Sequence, residues 1–283
     1  MLNMIRMEMF RMFKTKSLYV IWIILFGAIL FTTTATATEM KEYTMEEKQE
    51  TYEYAMGLQE EEIPNLGMTV TAPTKPGEDV SVFDLFYANL KGKFVALFMV
   101  IFTVLYSTAD LTSGYVKNIA GQVENRAGFV FAKAISLFVY TVLTFLLLAV
   151  TQAISNGFCF GKIIWGEMDL LLKYAGMQVL LHFALLMVIM CAAIVLRSNV
   201  ISMTFAVCLC MNMMMILYGY LDKFIANTGM KNFQLMKYTV TGRISMLPMK
   251  ITEKSAGVSA AVSAIFIFVM LTFCSSVFKK RDI

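Results

Sequence analysis

The chain has 283 residues, of which 58% are hydrophobic and only 16% charged, and its formal net charge is +4. With a mean hydropathy of +0.68, this composition is typical of integral membrane proteins and excludes an ordinary soluble globular domain. The charge is modest, and no basic run is interleaved with aromatic side chains, so the sequence argues against a nucleic-acid partner.

Residues 1–17 precede the first apolar run. On a helix, one side collects Leu2, Ile5, Met9, Met12 and Phe13, with Glu8, Arg11 and Lys14 away from it. This pattern predicts an interfacial elbow helix lying flat in the headgroup region. The alternative is a simple basic flank of the first span. Residues 18–37 are then long enough, at about 1.5 Å per residue, to cross a hydrocarbon core of about 30 Å.

Residues 38–93 are predicted to form an extracellular acidic segment. From Glu39 to Gly92 there are twelve acidic residues and four lysines. Such a cluster usually marks a solvated acidic face, and attraction of a cationic substrate is the alternative.

A polar hairpin, residues 110–133, joins the second apolar run, 94–109, to the third, 134–153. In helical projection an arc of roughly 140° holds Leu111, Tyr115, Val116, Ile119 and Val123. Lys117, Asn118, Glu124 and Asn125 fall mostly outside this arc. The pattern predicts a short amphipathic helix that a neighbour must stabilise, since its two glycines each cost about 1 kcal/mol relative to Ala. The alternative is a solvated turn with one face against the membrane.

Three further apolar runs follow, at residues 170–196, 200–221 and 256–278. The connection between the last two, residues 222–255, is unusually apolar for a loop. It is predicted to be extracellular and partly re-entrant, in pieces whose backbone is satisfied by protein or water. The predicted fold is therefore an all-α integral membrane protein, a single transmembrane domain of six helices.

Six spans place both termini on one side of the membrane. With the termini inside, the cytoplasmic pieces carry eleven Lys and Arg, against thirteen on the outer side, counting Lys173 near the outer end of span four. The cytoplasmic pieces contain roughly half as many residues, so their density of positive charge is higher, which favours cytoplasmic termini. The connection 222–255 disagrees with this orientation, because it has six basic residues although it is predicted to be extracellular.

The chain carries no motif for chemistry of its own. A phosphate-binding Gly-x-x-x-x-Gly-Lys-Ser/Thr loop, paired carboxylates and a nucleophile elbow are all absent from the sequence. No catalytic residue, metal site or bound cofactor is predicted. Gln178, His182 and Asn212 lie within spans and are candidates for a transport pathway. For His182 a proton relay is the alternative to a structural role, and the structural role is favoured.

The layout resembles the type-2 ABC exporter permeases over essentially the whole chain. The similarity lies in the order of elbow helix, six spans, hairpin between spans two and three, and re-entrant outer segment before span six. Two sequence motifs also resemble those of the family. They are Ser113-Gly-Tyr115 followed by Arg126, Phe129 and Lys133, and the ending Phe278-Lys-Lys-Arg-Asp-Ile283. The family often has Glu where this chain has Asp110. The long acidic segment is more like permeases of bacterial peptide export or self-protection systems.

The resemblance implies a permease of the bacterial plasma membrane without its own ATPase site. Two such permeases, identical or homologous, would form the pathway for amphipathic peptides or other hydrophobic compounds. Each would dock its hairpin, as a coupling helix, into a cytoplasmic ABC ATPase that binds ATP and Mg. The implied coupling residues are Tyr115, Val116, Lys117, Ile119, Val123 and Glu124.

Two other functions remain open. The first is a membrane sensor or assembly subunit, with the acidic outer segment as its ligand-binding module. The second is a proton-coupled carrier using His182, which is disfavoured because no inverted repeat relates spans one to three with spans four to six.

Overall fold

The computed structural model describes residues 1–58, 69–112, 127–211, 213–227 and 233–279, and in these residues its regular secondary structure is all helical, without a strand. The α-helices are α1 (Leu2–Lys14), α2 (Lys16–Glu42), α3 (Met45–Met56), α4 (Val82–Lys91), α5 (Phe94–Thr112), α6 (Ala127–Phe160), α7 (Met168–Leu196), α8 (Asn199–Cys210), α9 (Met214–Asn227), α10 (Val240–Met246) and α11 (Glu253–Lys279), with a short 3₁₀ helix at Leu235–Tyr238.

Four of these helices, α2, α6, α7 and α11, are each long and apolar enough to cross a membrane. Two bent pairs, α4 with α5 and α8 with α9, bring the number to six if each pair is one span. The chain is thus an all-helical, multi-pass membrane protein, with the predicted six spans at the upper end of that range.

The second apolar run extends further toward the N-terminus than predicted. Residues assigned from sequence to the polar outer segment form α4, which is buried along most of its length and meets α5 at 55°. Its buried carboxylate is satisfied locally: Ser81 caps the helix with Asp84, and Thr74 donates a 3.0 Å hydrogen bond to that carboxylate. At the bend Lys93 has a φ of 58°, and a Cβ on Gly92 would lie 2.4 Å from the Thr69 carbonyl oxygen.

The predicted fifth span, 200–221, is interrupted. Helix α8 ends at Cys210 and α9 begins at Met214, with 68° between them. The buried Lys93 points at this break, where its Nζ lies 3.5 Å from the carbonyl oxygen of Leu209. An ammonium group at the end of a helix stabilises the carbonyls that have no partner within the helix, which favours ending α8 here. Among its described residues, α9 buries none.

The predicted polar hairpin is shorter at both ends. Helix α5 continues to Thr112, and α6 begins at Ala127 rather than at residue 134. The core of the bundle is α7, which packs against α5, α6, α8 and α11. Inside the bundle, Gln152 of α6 accepts a hydrogen bond from Asn89 of α4 at 3.1 Å and donates one to Thr33 of α2 at 3.0 Å. These buried amides tie three helices together, since their hydrogen bonds run from α6 to both α4 and α2.

Candidate functional site

A buried ionic cluster joins α1 to the end of α5 and the beginning of α6. We call it the Glu8 cluster; its members are Glu8, Arg11, Tyr106 and Lys133. Glu8 comes from the middle of α1, and its side chain has no exposed surface. Tyr106 and Lys133 are buried on α5 and α6, so the cluster lies beside the two helix ends between which residues 113–126 run.

One carboxylate oxygen organises the Glu8 cluster. Glu8 Oε2 accepts hydrogen bonds from Arg11 Nη2 at 2.8 Å and from Tyr106 Oη at 2.7 Å. The Lys133 ammonium lies 3.9 Å from the same oxygen. Tyr106 Oη also lies 3.1 Å from the backbone carbonyl oxygen of Glu8. Helix α1 is therefore fixed to α5 through its backbone and to both α5 and α6 through one side chain.

Aromatic faces surround the two cations. Lys133 Nζ lies 4.6 Å from the centre of the Tyr106 ring and 5.2 Å from that of Phe129, and Arg11 Cζ lies 4.9 Å from the Tyr106 ring. A cation over an aromatic face gains roughly 0.5–2 kcal/mol, the higher value where water is excluded. The rings thus help to hold two positive charges beside the buried Glu8 carboxylate.

Burying a charge is tolerated only when it is paired and hydrogen-bonded, and removing one partner of a buried pair costs about 3–5 kcal/mol. Glu8 meets that condition through Oε2, while Oε1 accepts no hydrogen bond from any residue that the structure describes. The cluster therefore specifies one position of α1 against α5 and α6.

Two further contacts bring other elements to the same end of the bundle. Phe129 of α6 stacks on Phe278 of α11, with ring centres 5.5 Å apart and planes at 17°. Met4 of α1 lies over Gly128, where an added Cβ would come within 3.2 Å of the methionine methyl group. The beginning of α6 is thus linked to both α1 and α11.

The protein-contacting face of α1 includes a charged residue. Glu8, expected to point away from the apolar side, is buried against the protein together with Met12, while Leu2 is 78% and Phe10 65% exposed. A helical projection does not foresee this burial, because it does not include partners about a hundred residues away in the chain, here Tyr106 and Lys133.

The predicted coupling residues, Tyr115, Val116, Lys117, Ile119, Val123 and Glu124, lie outside the described residues, as does Asn212. The structure does bring Gln178 and His182 together in α7. Gln178 Nε2 donates to Tyr174 Oη at 2.8 Å and to the Ile244 carbonyl oxygen at 3.1 Å. His182 Nδ1 lies 2.9 Å from the Gln178 carbonyl oxygen, and its ring meets Phe145 edge to face at 5.1 Å.

The surroundings of His182 favour the structural role. In the described part of the chain its hydrogen bonds and ring contacts involve no carboxylate, and its Nε2 has no partner. A proton relay needs a second group that exchanges the proton. We expect His182→Gln to leave the transport that the family resemblance implies within about two-fold of wild type between pH 6 and 8, measured in proteoliposomes. A rate lower by more than about ten-fold in a well-folded variant, equivalent to about 1.4 kcal/mol of barrier, would instead support the relay.

Two buried residues, Glu8 and Lys93, are not predicted as important by the sequence. Glu8 carries a weak signal, an acidic residue three positions before Arg11 in a segment that otherwise lies against apolar surface. Lys93 carries none, because a lysine next to Gly92 at the start of an apolar run is typical of a membrane boundary.

Neither a comparison with protein-family models nor one with curated protein sequences finds a match for this chain.

Proposed function

We propose that the chain is the membrane-spanning permease subunit of an ATP-driven ABC transporter of the type-2 exporter kind. It exports or clears amphipathic peptides or other hydrophobic compounds across the bacterial plasma membrane. Both termini and residues 113–126 face the cytoplasm. A separate ABC ATPase binds ATP and Mg, since the sequence offers no phosphate-binding loop.

The observation that carries this proposal is the Glu8 cluster. A docking segment transmits movement only if the helices on either side of it are rigidly connected to the rest of the permease. Helices α5 and α6 flank residues 113–126, and Glu8 binds a side chain from each of them. Such packed networks with a defined arrangement are the physical means by which two sites influence each other.

A second permease copy is supported by the surface of the bundle. Only 28% of the apolar stretch of α2 and 22% of that of α11 is buried within the described chain. Helix α9 adds exposed apolar side chains such as Tyr220 and Phe224. Lipid can cover part of this surface, and an identical or homologous permease can cover the rest.

The alternative function is a membrane sensor or assembly subunit that uses its outer segment to bind a ligand. It is favoured by one observation, namely that the described part of this segment encloses a cavity together with α2 and α6. The two functions differ in whether an ATPase is required.

The test is purification of the tagged full chain from its native membrane in a mild detergent. We expect an ABC ATPase to co-purify in equal amount, and reconstituted vesicles to hydrolyse ATP in a vanadate-sensitive way. A chain that purifies intact without any ATPase, with the same yield after chemical cross-linking, would favour the sensor.

A further inference from the structure

A cavity of about 300 Å³ lies where the C-terminal end of α2, the beginning of α3 and the loop 74–80 meet the end of α6. Its floor is apolar and includes Ala37, Val80 and Phe160. Val80 and Phe160 belong to a small apolar cluster with Ala72 and Leu85, so the floor is fixed by packing. Gly77, with a φ of 85°, allows the turn that closes one side.

The rim of this cavity gathers most of the positive charge of an acidic segment. Between Glu39 and Gly92 the sequence has four lysines against twelve acids. Three of the four, Lys41, Lys48 and Lys75, line this one cavity. The fourth, Lys91, donates to the Ala55 carbonyl oxygen elsewhere. An even distribution of solvated charge would not place three lysines around one apolar floor.

These ammonium groups are available to a ligand. Within the described chain, Lys41, Lys48 and Lys75 make no ion pair and no side-chain hydrogen bond. Two carboxylates also line the cavity, but Asp79 is paired with Lys162, which leaves Glu78 to oppose three lysines. The rim therefore carries a surplus of positive charge over an apolar floor, a combination suited to an anion with an apolar part.

The depth of the cavity relative to the membrane indicates which molecule supplies this anion. Ala37 ends the apolar stretch of α2, since Glu39 and Lys41 follow, and Phe160 ends α6 just before Lys162. Both residues line the floor. The cavity thus lies where the hydrocarbon core gives way to the headgroups, and this boundary is where lipid phosphates are found.

We propose that this cavity binds the phosphate-bearing headgroup of an anionic lipid. Lys41, Lys48 and Lys75 contact the phosphate as point charges, while the lipid backbone lies on the floor beside Phe160. The volume is at the low end for a ligand pocket, so it accepts a headgroup while the acyl chains stay in the bilayer. The site goes beyond the proposed transport function, and its test measures binding alone.

The purified full chain in a neutral detergent is titrated with dihexanoyl phosphatidylglycerol, dihexanoyl phosphatidylcholine and inorganic phosphate, and binding is measured by thermophoresis. We expect phosphatidylglycerol to bind at least about ten-fold more tightly than either other probe, because only it has both net negative charge and a lipid backbone. The variant Lys41→Gln/Lys48→Gln/Lys75→Gln should lose roughly 100-fold in affinity, about five-fold for each lysine.

The matched control is Lys223→Gln/Lys237→Gln/Lys250→Gln, which removes three exposed lysines from the other long connection. It changes the net charge equally and should alter the affinity by less than about three-fold. A second variant, Met45→Trp, fills the cavity without changing charge; Met45 is 62% exposed, so the fold should tolerate it. This variant should lower the affinity for phosphatidylglycerol by about ten-fold or more.

Three results would overturn the proposal. Equal affinity for inorganic phosphate and phosphatidylglycerol would indicate a site for a free anion. An equal loss in the control variant would indicate general attraction to the surface. Unchanged affinity in Met45→Trp would place the lipid elsewhere, whether or not the triple lysine variant folds.

Discussion

Changing Tyr115 and Ile119 together to Asp is expected to separate the chain from its ATPase while the apolar segments still insert into the membrane. Both residues lie on the apolar arc predicted for residues 111–123. If this arc is the anchor in an ATPase groove, the change removes two apolar contacts and places two carboxylates against a desolvated surface. The cost is roughly 4 kcal/mol, or about a thousand-fold in affinity. The measurement is co-purification with the ATPase, followed by ATP turnover in vesicles.

The matched control is Asn125→Ala, on the predicted solvated side of the same helix. It should retain the ATPase and at least about half of the turnover, because a surface substitution usually changes stability by less than about 0.5 kcal/mol. If the double variant keeps both its ATPase and full transport while the control behaves as expected, residues 113–126 are a connecting loop. The sensor or assembly function would then be preferred.

The apolar runs of the sequence predicted the membrane helices well, because the length needed to cross a bilayer is a strong physical constraint. Helices α2, α6, α7 and α11 contain the predicted runs 18–37, 134–153, 170–196 and 256–278 and extend beyond them. The bends between α4 and α5 and between α8 and α9 were not predictable from the sequence. The sequence assigns residues up to 93 to the polar outer segment, yet within α4 Asp84 accepts a hydrogen bond from the Ser81 backbone and Asn89 donates one to Gln152, some sixty residues further on.

The candidate site was less predictable than the helices. An intramembrane histidine stands out in a sequence, so His182 was identified at once. Glu8 did not stand out, because an acidic residue near a membrane surface is ordinary, and its importance depends on Tyr106 and Lys133. Sequence periodicity reports which residues share a face of one helix. It does not report which charges meet across helices.

Removing either charge of the Glu8–Lys133 pair is expected to destabilise the fold. Glu8→Met takes away the carboxylate that Lys133 and Arg11 face, and Lys133→Met removes one of the two cations beside Glu8. Glu8→Met should cost about 3–5 kcal/mol, since it removes the anion of a buried ion pair. Lys133→Met should cost less, since Glu8 keeps its hydrogen bonds from Arg11 and Tyr106. The measurement is the loss of folded protein on heating in detergent, followed by size-exclusion chromatography. Glu46→Gln, which changes an exposed carboxylate on α3, is the control and should have no effect.

The double variant Glu8→Met/Lys133→Met should recover most of this loss. Tyr106 keeps the backbone carbonyl oxygen of Glu8 as an acceptor, and the site of Lys133 lies over the rings of Tyr106 and Phe129, where a methionine packs well. Replacing a buried ion pair by apolar side chains is often neutral or stabilising. The coupling in this double-mutant cycle should therefore exceed about 2 kcal/mol. Additive losses would show that the two charges do not depend on each other.

The double variant also distinguishes a role in stability from a role in transmitting movement. It is expected to fold and to retain its ATPase, because residues 113–126 are unchanged. Without the carboxylate that binds side chains of both α5 and α6, however, α1 keeps its backbone hydrogen bond from Tyr106 of α5 but loses its ion pair with α6. ATP-driven transport should then fall by more than about ten-fold at unchanged ATPase binding, a loss equivalent to about 1.4 kcal/mol of barrier. Full transport by this variant would restrict the Glu8 cluster to holding the fold together, and the movement of residues 113–126 would have to reach the bundle by another route.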